Sequence, residues 1–407
     1  MRPTLNELMD HIGCKAWPER WQNLYDGVME DFERHGCPMT DPDHIDALAD
    51  RYGILVDQRV LYRQAAKSVA EQKKLARLLA LLCAVLSDKE HREQDLEKFA
   101  PVYALENPNL GLNMLTGLAL LSQMPECYET LCALGLPEDF IRQTMRMPEG
   151  TVQAFAQLHG GVPGFHMLHW YQRLIRGVLF RLGRLQIELG TGFRGRAQVF
   201  QNKNGQVMAL GHERPTHPSG IALGSVGAES SEGSWVANVE ETELYWEGYP
   251  HDDRGLIQRE KVRLPKGEWE KVLARYDPVV ALHIPGDGRL TPEAVQDSLG
   301  RIRAFMSTYF PEYPYKAFTC NSWLVNPEIA TLLGADSNIG RFCGLFHPLT
   351  RKAPGTSVFS FVYQRSGPIV PEELPENTRL ERALKAYYQS GKVLHEMYGY
   401  FLRDDHT

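Results

Sequence analysis

Val279-Val-Ala-Leu-His-Ile-Pro-Gly-Asp-Gly-Arg-Leu-Thr-Pro-Glu293 is the stretch that decides the fold. The apolar run Val279–Ile284 predicts a short buried strand. Pro285-Gly-Asp-Gly288 predicts a turn. Thr291 is then a good N-cap, Pro292 suits the first helical position, and Glu293 complements the helix dipole. Val295, Leu299, Ile302, Phe305, Met306 and Tyr309 give the helix a buried face. A glycine turn between a strand and a helix N-terminus gathers free backbone N–H groups at one spot, which suits a phosphate or pyrophosphate. An ordinary strand-to-helix connection fits the same residues.

The grammar repeats downstream. Tyr315–Leu324 reads as a strand, Asn326-Pro327-Glu328 caps a helix, and Gly334 ends it. Upstream, Gly160-Gly-Val-Pro-Gly164 punctuates the chain and a helix follows, with Leu168, Tyr171, Leu174 and Ile175 on one face. The period then changes to two over Arg184–Leu189, and Asn204-Gly205 marks a hairpin between two short strands. Residues 219–234, rich in glycine and serine, read as a mobile surface connection or a lid. Further strands are expected at Glu243–Trp246 and Ser357–Tyr363, and a closing helix over Asn377–Leu402.

Residues 1–150 read differently, as helix after helix. Helical spacing covers Trp17–His35; Asp41-Pro42-Asp43 caps the next helix; longer ones are expected over Asp57–Leu86 and Leu110–Leu121. The expected fold is therefore α+β, with an all-helical domain over 1–155 and a mixed sheet with flanking helices over 156–407.

Composition narrows the function. A net charge of −7 and a pI near 6.1 give no basic footprint for a nucleic-acid partner. The most apolar run, Leu78–Leu86, falls short of the roughly 20 residues that span a bilayer, so no membrane partner is expected. The N-terminus has no apolar signal core, which points to a cytoplasmic chain. Seven scattered cysteines, at 14, 37, 83, 127, 132, 320 and 343, form no Cys-x-x-Cys pair. They suggest neither a disulfide frame nor a zinc site. His166 and His169 share a helix face without a nearby third ligand, so no metal is expected.

The segments FRLGRLQIEL (Phe180–Leu189), HIPGDGRL, CNSWLVNP and SNIGRF together resemble the two-domain bacterial N-acyltransferase-type proteins. These join a helical N-terminal domain to a C-terminal domain like that of the GNAT superfamily of N-acetyltransferases. The resemblance covers essentially the whole chain and implies an acyl-coenzyme A substrate. In that superfold the fourth strand splays from the fifth and the thioester lies in the opening. Ala281–Ile284 would then line the thioester. Ile284, Gly286, Asp287, Gly288, Arg289 and Leu290 would hold the acyl-CoA, with pyrophosphate on the loop and Arg289 offsetting Asp287. Lys316–Leu324 would be the fifth strand.

Acyl transfer to an amine needs a base, a donor for the thioester oxygen and an acid for the thiolate. His283 interrupts an apolar strand just before the glycine turn and is the leading base, because imidazole titrates near neutrality. Its bland reading is a buried histidine bonded to a carbonyl. Cys320 and Ser322 lie two apart and so share a strand face; the first is a small core residue or a nucleophile, the second a donor to substrate or backbone. Glu243 belongs to a solvated strand edge or receives a cationic amine, and Asn338 is read chiefly as a helix cap. Three functions follow: an acyl-CoA-dependent acyltransferase acting on a small-molecule amine or a peptide, a non-catalytic ligand-binding or scaffold protein on the same fold, and a thiol enzyme pairing Cys320 with His283. An oligomer is compatible with each.

Overall fold

The computed structural model describes residues 2–99, 101–365 and 369–405. Two compact units emerge, Met1–Arg181 and Leu182–Thr407. The division falls later than the expected 155/156, because the helices Glu149–Leu158 and Leu168–Ile175 belong to the first unit.

The first unit is helical up to its final residues. Local signals set its boundaries. The Asp41 carboxylate accepts from the Asp43 amide at the start of Pro42–Tyr52, and Gly53 closes that helix in the left-handed region. The single helix expected over Asp57–Leu86 is two, Arg59–Glu71 and Lys73–Ser87. Gln72 separates them, and its side-chain amide takes the Ser68 carbonyl that a continuing helix would use. Leu110–Leu121 is likewise divided at Met114. The core holds Trp21, Tyr62, Phe155 and the Leu78–Leu86 face. One buried charge is fully answered: Arg92, 3% exposed, donates to the Leu86 carbonyl at 3.1 Å and to both Glu126 oxygens at 2.9 and 3.1 Å.

The second unit is built on a sheet of six strands in the order β1-β2-β11-β12-β14-β13, whose edge strand β1 starts just before the division. These are β1 (Leu179–Leu182), β2 (Leu185–Gly192), β11 (Pro278–His283), β12 (Ala317–Ser322), β13 (His347–Thr350) and β14 (Met397–Leu402). Between β2 and β11 the chain inserts eight further strands. They are β3 (Ala197–Asn202), β4 (Val207–Gly211), β5 (Arg214–Thr216), β6 (Trp235–Ala237), β7 (Glu240–Glu241), β8 (Tyr245–Gly248), β9 (Val262–Pro265) and β10 (Trp269–Leu273). The Asn204-Gly205 turn joins β3 to β4 as expected, with Gly205 at φ 81.

Strand alternation gives the six-stranded sheet two different faces. One carries Val280, Leu282, Phe318, Cys320 and Phe401, and the helix Pro292–Tyr309 covers it; Arg303 of that helix sits over the Phe318 ring at 5.6 Å. The other carries Val279, Ala317, Tyr400 and Leu402, which pack against Ala197, Val199, Ala209 and Leu273 of the insert.

Several elements differ from expectation. Phe180–Leu189 is a hairpin, because Gly183 (φ 66) turns the chain between β1 and β2. Ser357–Val362 is a helix, a short apolar run that periodicity alone does not assign. The closing helix spans only Arg379–Gln389, opened by a Thr378–Glu381 capping box, and Gly391 at φ 78 lets the chain return as strand β14. The first strand residue near Glu243 is Tyr245. Within 219–234, the first part is fastened down: the Ala222 amide donates to Thr350 Oγ1 at 2.9 Å and Ser225 Oγ to the Arg351 carbonyl at 3.2 Å, while 229–233 are exposed.

Replacing Glu126 by alanine leaves the Arg92 guanidinium buried with one carbonyl. Chemical denaturation should show a loss of about 3 kcal/mol, whereas Glu19→Ala on the exposed surface should cost under about 0.5 kcal/mol.

Candidate active site

The parallel ladder between β11 and β12 is short. Val279 pairs with Ala317, Val280 with Phe318 and Ala281 with Thr319, and there it stops. On the outer sides pairing continues: β11 holds β2 as far as His283–Gln186, and β12 holds β14 as far as Ser322–Met397. The two central strands therefore part beyond Ala281 and Thr319, leaving facing backbone edges inside a sheet. A bulge in β2 accompanies the parting, since Val279 faces Thr191 but Ala281 faces Glu188. Tyr313 closes the bulge; its hydroxyl accepts from the Gly190 amide at 3.0 Å and donates to the Val279 carbonyl at 3.1 Å.

His283 stands on the last residue of β11, at the lip of this opening. Its Nε2 lies 3.0 Å from Glu188 Oε2. The histidine side chain is 29% exposed and the glutamate 12%, so the pair is reachable while its carboxylate is largely dry. A carboxylate on one ring nitrogen fixes the tautomer and stabilises an imidazolium, and the opposite nitrogen becomes the proton acceptor.

The loop after β11 is an amide cradle. The N–H groups of Gly286, Gly288, Arg289 and Leu290 have no hydrogen-bond partner among the described residues. Neither glycine is in the left-handed region, and a Cβ at Gly286 would meet nothing within 4 Å. Neither backbone conformation nor packing among the described residues requires glycine at either position, a Cβ at Gly288 meeting only Arg184 at 3.6 Å. Arg184, from the β1–β2 turn, braces the loop from behind, its Nη2 donating to the Gly288 carbonyl at 2.8 Å and its Nε to that of Arg289 at 3.2 Å. Thr291 Oγ1 accepts from the Ala294 amide at 3.3 Å, and Pro292 opens the helix Pro292–Tyr309. Ile284 is half-buried and Leu290 buried, so the loop is anchored at both ends.

The other nominated residues are dispersed. Cys320 is 2% exposed, and burial pushes its thiol up to about 12. It projects from the helix-covered face, whereas His283 shares a face with Ala281, Thr319 and Glu188. The Cys320–His283 pair therefore does not form. Ser322 is occupied as a cap, accepting from the Leu324 amide at 3.1 Å. Glu243 is exposed in the turn between β7 and β8, in the insert. The cap at Asn338 is its neighbour: Ser337 Oγ accepts from the Gly340 amide at 3.0 Å, and Asn338 is the first helical residue.

Residues not singled out in the sequence share the face of His283. Thr319 lies beside the half-buried Tyr398, whose hydroxyl accepts from the Arg194 amide at 3.1 Å. Asn321 Oδ1 accepts from Arg351 at 2.6 Å. Glu188 is one of the polar positions of the alternating run Arg184–Leu189, and the alternation alone does not set it apart from Gln186.

A splayed parallel pair in a mixed sheet, followed by an amide-rich loop and a helix, defines a GNAT-like acyltransferase fold. The GNAT-like C-terminal domain family matches residues 179–401, and the chain belongs to that family. No curated protein matches the chain. Among solved structures, an acyltransferase in complex with decanoyl-CoA and teicoplanin is 20% identical, covers 98% of each chain and superposes with a TM-score of 0.60. An acyltransferase with CoA and 10C-Teicoplanin is 19% identical over 98% of each chain, with a TM-score of 0.61. An acyltransferase mutant with octanoyl-CoA is 19% identical over 98% of this chain and 99% of its own, with a TM-score of 0.60. At this identity the likeness establishes the fold, including the helical N-terminal region.

Removing the Arg184 side chain should free the loop without unfolding the unit. Limited trypsinolysis of Arg184→Ala should show faster cleavage after Arg289 than in the parent. Equal cleavage would mean that the two carbonyl contacts do not hold the loop.

Proposed function

We propose that this chain is an acyltransferase that moves an acyl group from acyl-coenzyme A to an amine on a small molecule or peptide. The parting of β11 from β12 carries the reading, because it opens a slot with unpaired backbone edges, bounded by one imidazole–carboxylate pair and one amide cradle. Acyl-CoA ligands in the structurally similar acyltransferases support it, as does the teicoplanin in two of them.

In this reading the pyrophosphate rests on the amides of Gly286, Gly288, Arg289 and Leu290, with the N-terminus of the helix Pro292–Tyr309 behind them. The pantetheine runs along β11, and a backbone N–H on its unpaired edge donates to the thioester oxygen. The amine attacks the thioester carbon. His283 takes the proton that the nitrogen must lose, Glu188 stabilises the imidazolium, and the C–S bond breaks as the amide forms. The thiolate leaves with the proton returned by His283, so one residue serves both half-steps. Asp287 stands on the loop beside the phosphate position with Arg289 as its nearest sequence counter-charge.

Binding and turnover separate this proposal from a scaffold on the same fold. An acyl-CoA series, each at about a hundred times its dissociation constant, should stabilise the protein by about 2.7 kcal/mol. Free thiol release with an amine panel should then fall about 10²- to 10⁴-fold in His283→Ala. Binding without thiol release would favour the ligand-binding scaffold. Neither binding nor release would end the acyl-CoA reading.

The Glu188 contribution has its own signature. Glu188→Gln keeps the contact but removes the charge, so kcat should drop while KM for acyl-CoA stays level. An unchanged kcat would show that the carboxylate does not assist His283.

A further inference from the structure

Arg214 is 9% exposed, and its Nε has no hydrogen-bond partner among the described residues. No carboxylate among the described residues pairs with it. Its neighbours aggravate the problem, for Arg196, Arg351 and Arg275 all push its ionisation down, behind burial as the leading cause. Of these, Arg275 is paired with Glu213 at 2.8 Å and Arg351 with Glu396 at 2.8 Å. Among the described residues, Arg196 donates only to a backbone carbonyl, that of Glu213, at 2.9 Å. Four guanidinium groups thus face two carboxylates.

Burying an unpaired cation is costly, so native structures answer such groups with an anion. Glu213, immediately before it, sits in the sparsely populated left-handed region at φ 49. The strand that carries it, β5, is fixed beside the end of β13. Thr216 bridges to Ala222, whose amide donates to Thr350 Oγ1, and the next residue is Arg351. Arg351 in turn reaches Asn321 on β12, past the last β11–β12 pair and on the His283 face of the sheet. The amide cradle follows the other splayed strand. The arginines therefore crowd the side of the opening opposite to that of the proposed pyrophosphate loop.

We infer that Arg214, with Arg196 and Arg351, forms an anion site for a carboxylate carried by the amine acceptor. This rests on the acyltransferase reading for its substrate, but the site itself does not. A planar carboxylate suits the fork of a guanidinium better than a point charge does. An acceptor held there by its acid end presents its amine toward the lip where His283 stands. The acceptor class is thus an amino acid, a peptide with a free C-terminus, or a similar amino-carboxylate.

The site is tested first without an acceptor. Acetate and glutarate should raise the Tm of the parent protein by about 2–4 °C over chloride at equal ionic strength, and acetamide should not. Arg214→Gln should lose that response and, freed of an unpaired buried charge, melt no lower than the parent without ligand. A purely structural arginine would give the opposite, a lower Tm, and that result overturns the proposal. So does an equal response of parent and variant to acetate, or stabilisation by inorganic phosphate alone. If Arg214→Gln does not fold, the acetate–acetamide contrast in the parent decides alone. Kinetically, matched acceptors should show KM at least about tenfold higher for the carboxamide than for the free acid, and Arg214→Lys should retain part of the difference. Equal KM values overturn the acceptor assignment. Absence of acyl-CoA binding alongside an intact acetate response would retire the transferase reading and leave the anion site standing.

Discussion

Two neighbouring strands in a sheet interior ordinarily stay paired, because each unpaired N–H or C=O withdrawn from water costs free energy. β11 and β12 part although each remains fully laddered on its outer side, to His283 and Ser322 respectively. Fraying would loosen all the edges together. Here the outer strands hold the central pair apart, and the β2 bulge, plugged by the Tyr313 hydroxyl, bends β11 just before the parting. The opening is thus a rigid feature with backbone donors and acceptors still to be satisfied. Its position decides what else matters: the residue at its lip is His283, and the loop that leaves it is the amide cradle.

Alternation then sorts the candidates. Side chains two apart on β12 share a face, so Cys320 travels with Phe318 into the helix-covered core, while Thr319 and Asn321 go with His283. A one-residue difference in parity separates a buried thiol from the side of His283. The same rule selects Glu188 across the strand from Ala281, a diagonal neighbour of His283.

What was legible in the sequence was local. Thr291, Asn326 and Asp41 cap helices through their own side chains, and the cap needs only three or four consecutive residues to be recognised. The strand–glycine turn–helix at 279–293 is of this kind. The misread elements are those in which periodicity competes with a tertiary partner. Met397 and Phe401 continue a helical spacing from Leu380, but Gly391 breaks the helix and β12 and β13 claim those residues as a central strand. Glu188 escaped notice because its partner lies 95 positions away and depends on a bulge in the register. The burial of Arg214 is set by folding of the insert over β13, for which no short pattern exists.

The two arginines buried among the described residues, Arg92 and Arg214, are treated in opposite ways. Arg92 has a bidentate carboxylate and a carbonyl, which together answer its planar fork. The chain therefore contains a complete solution to the burial of a guanidinium. At Arg214 that solution is withheld, although Glu213 is adjacent in sequence and pairs instead with Arg275. A site retained at a cost to stability is the usual mark of a group kept for a ligand. An anion supplied from outside completes the fork when it binds, and the desolvation already suffered by the arginine then strengthens the contact. The expense of an unpaired cation in the free protein and the selectivity for a carboxylate in the bound one are two sides of the same electrostatic fact.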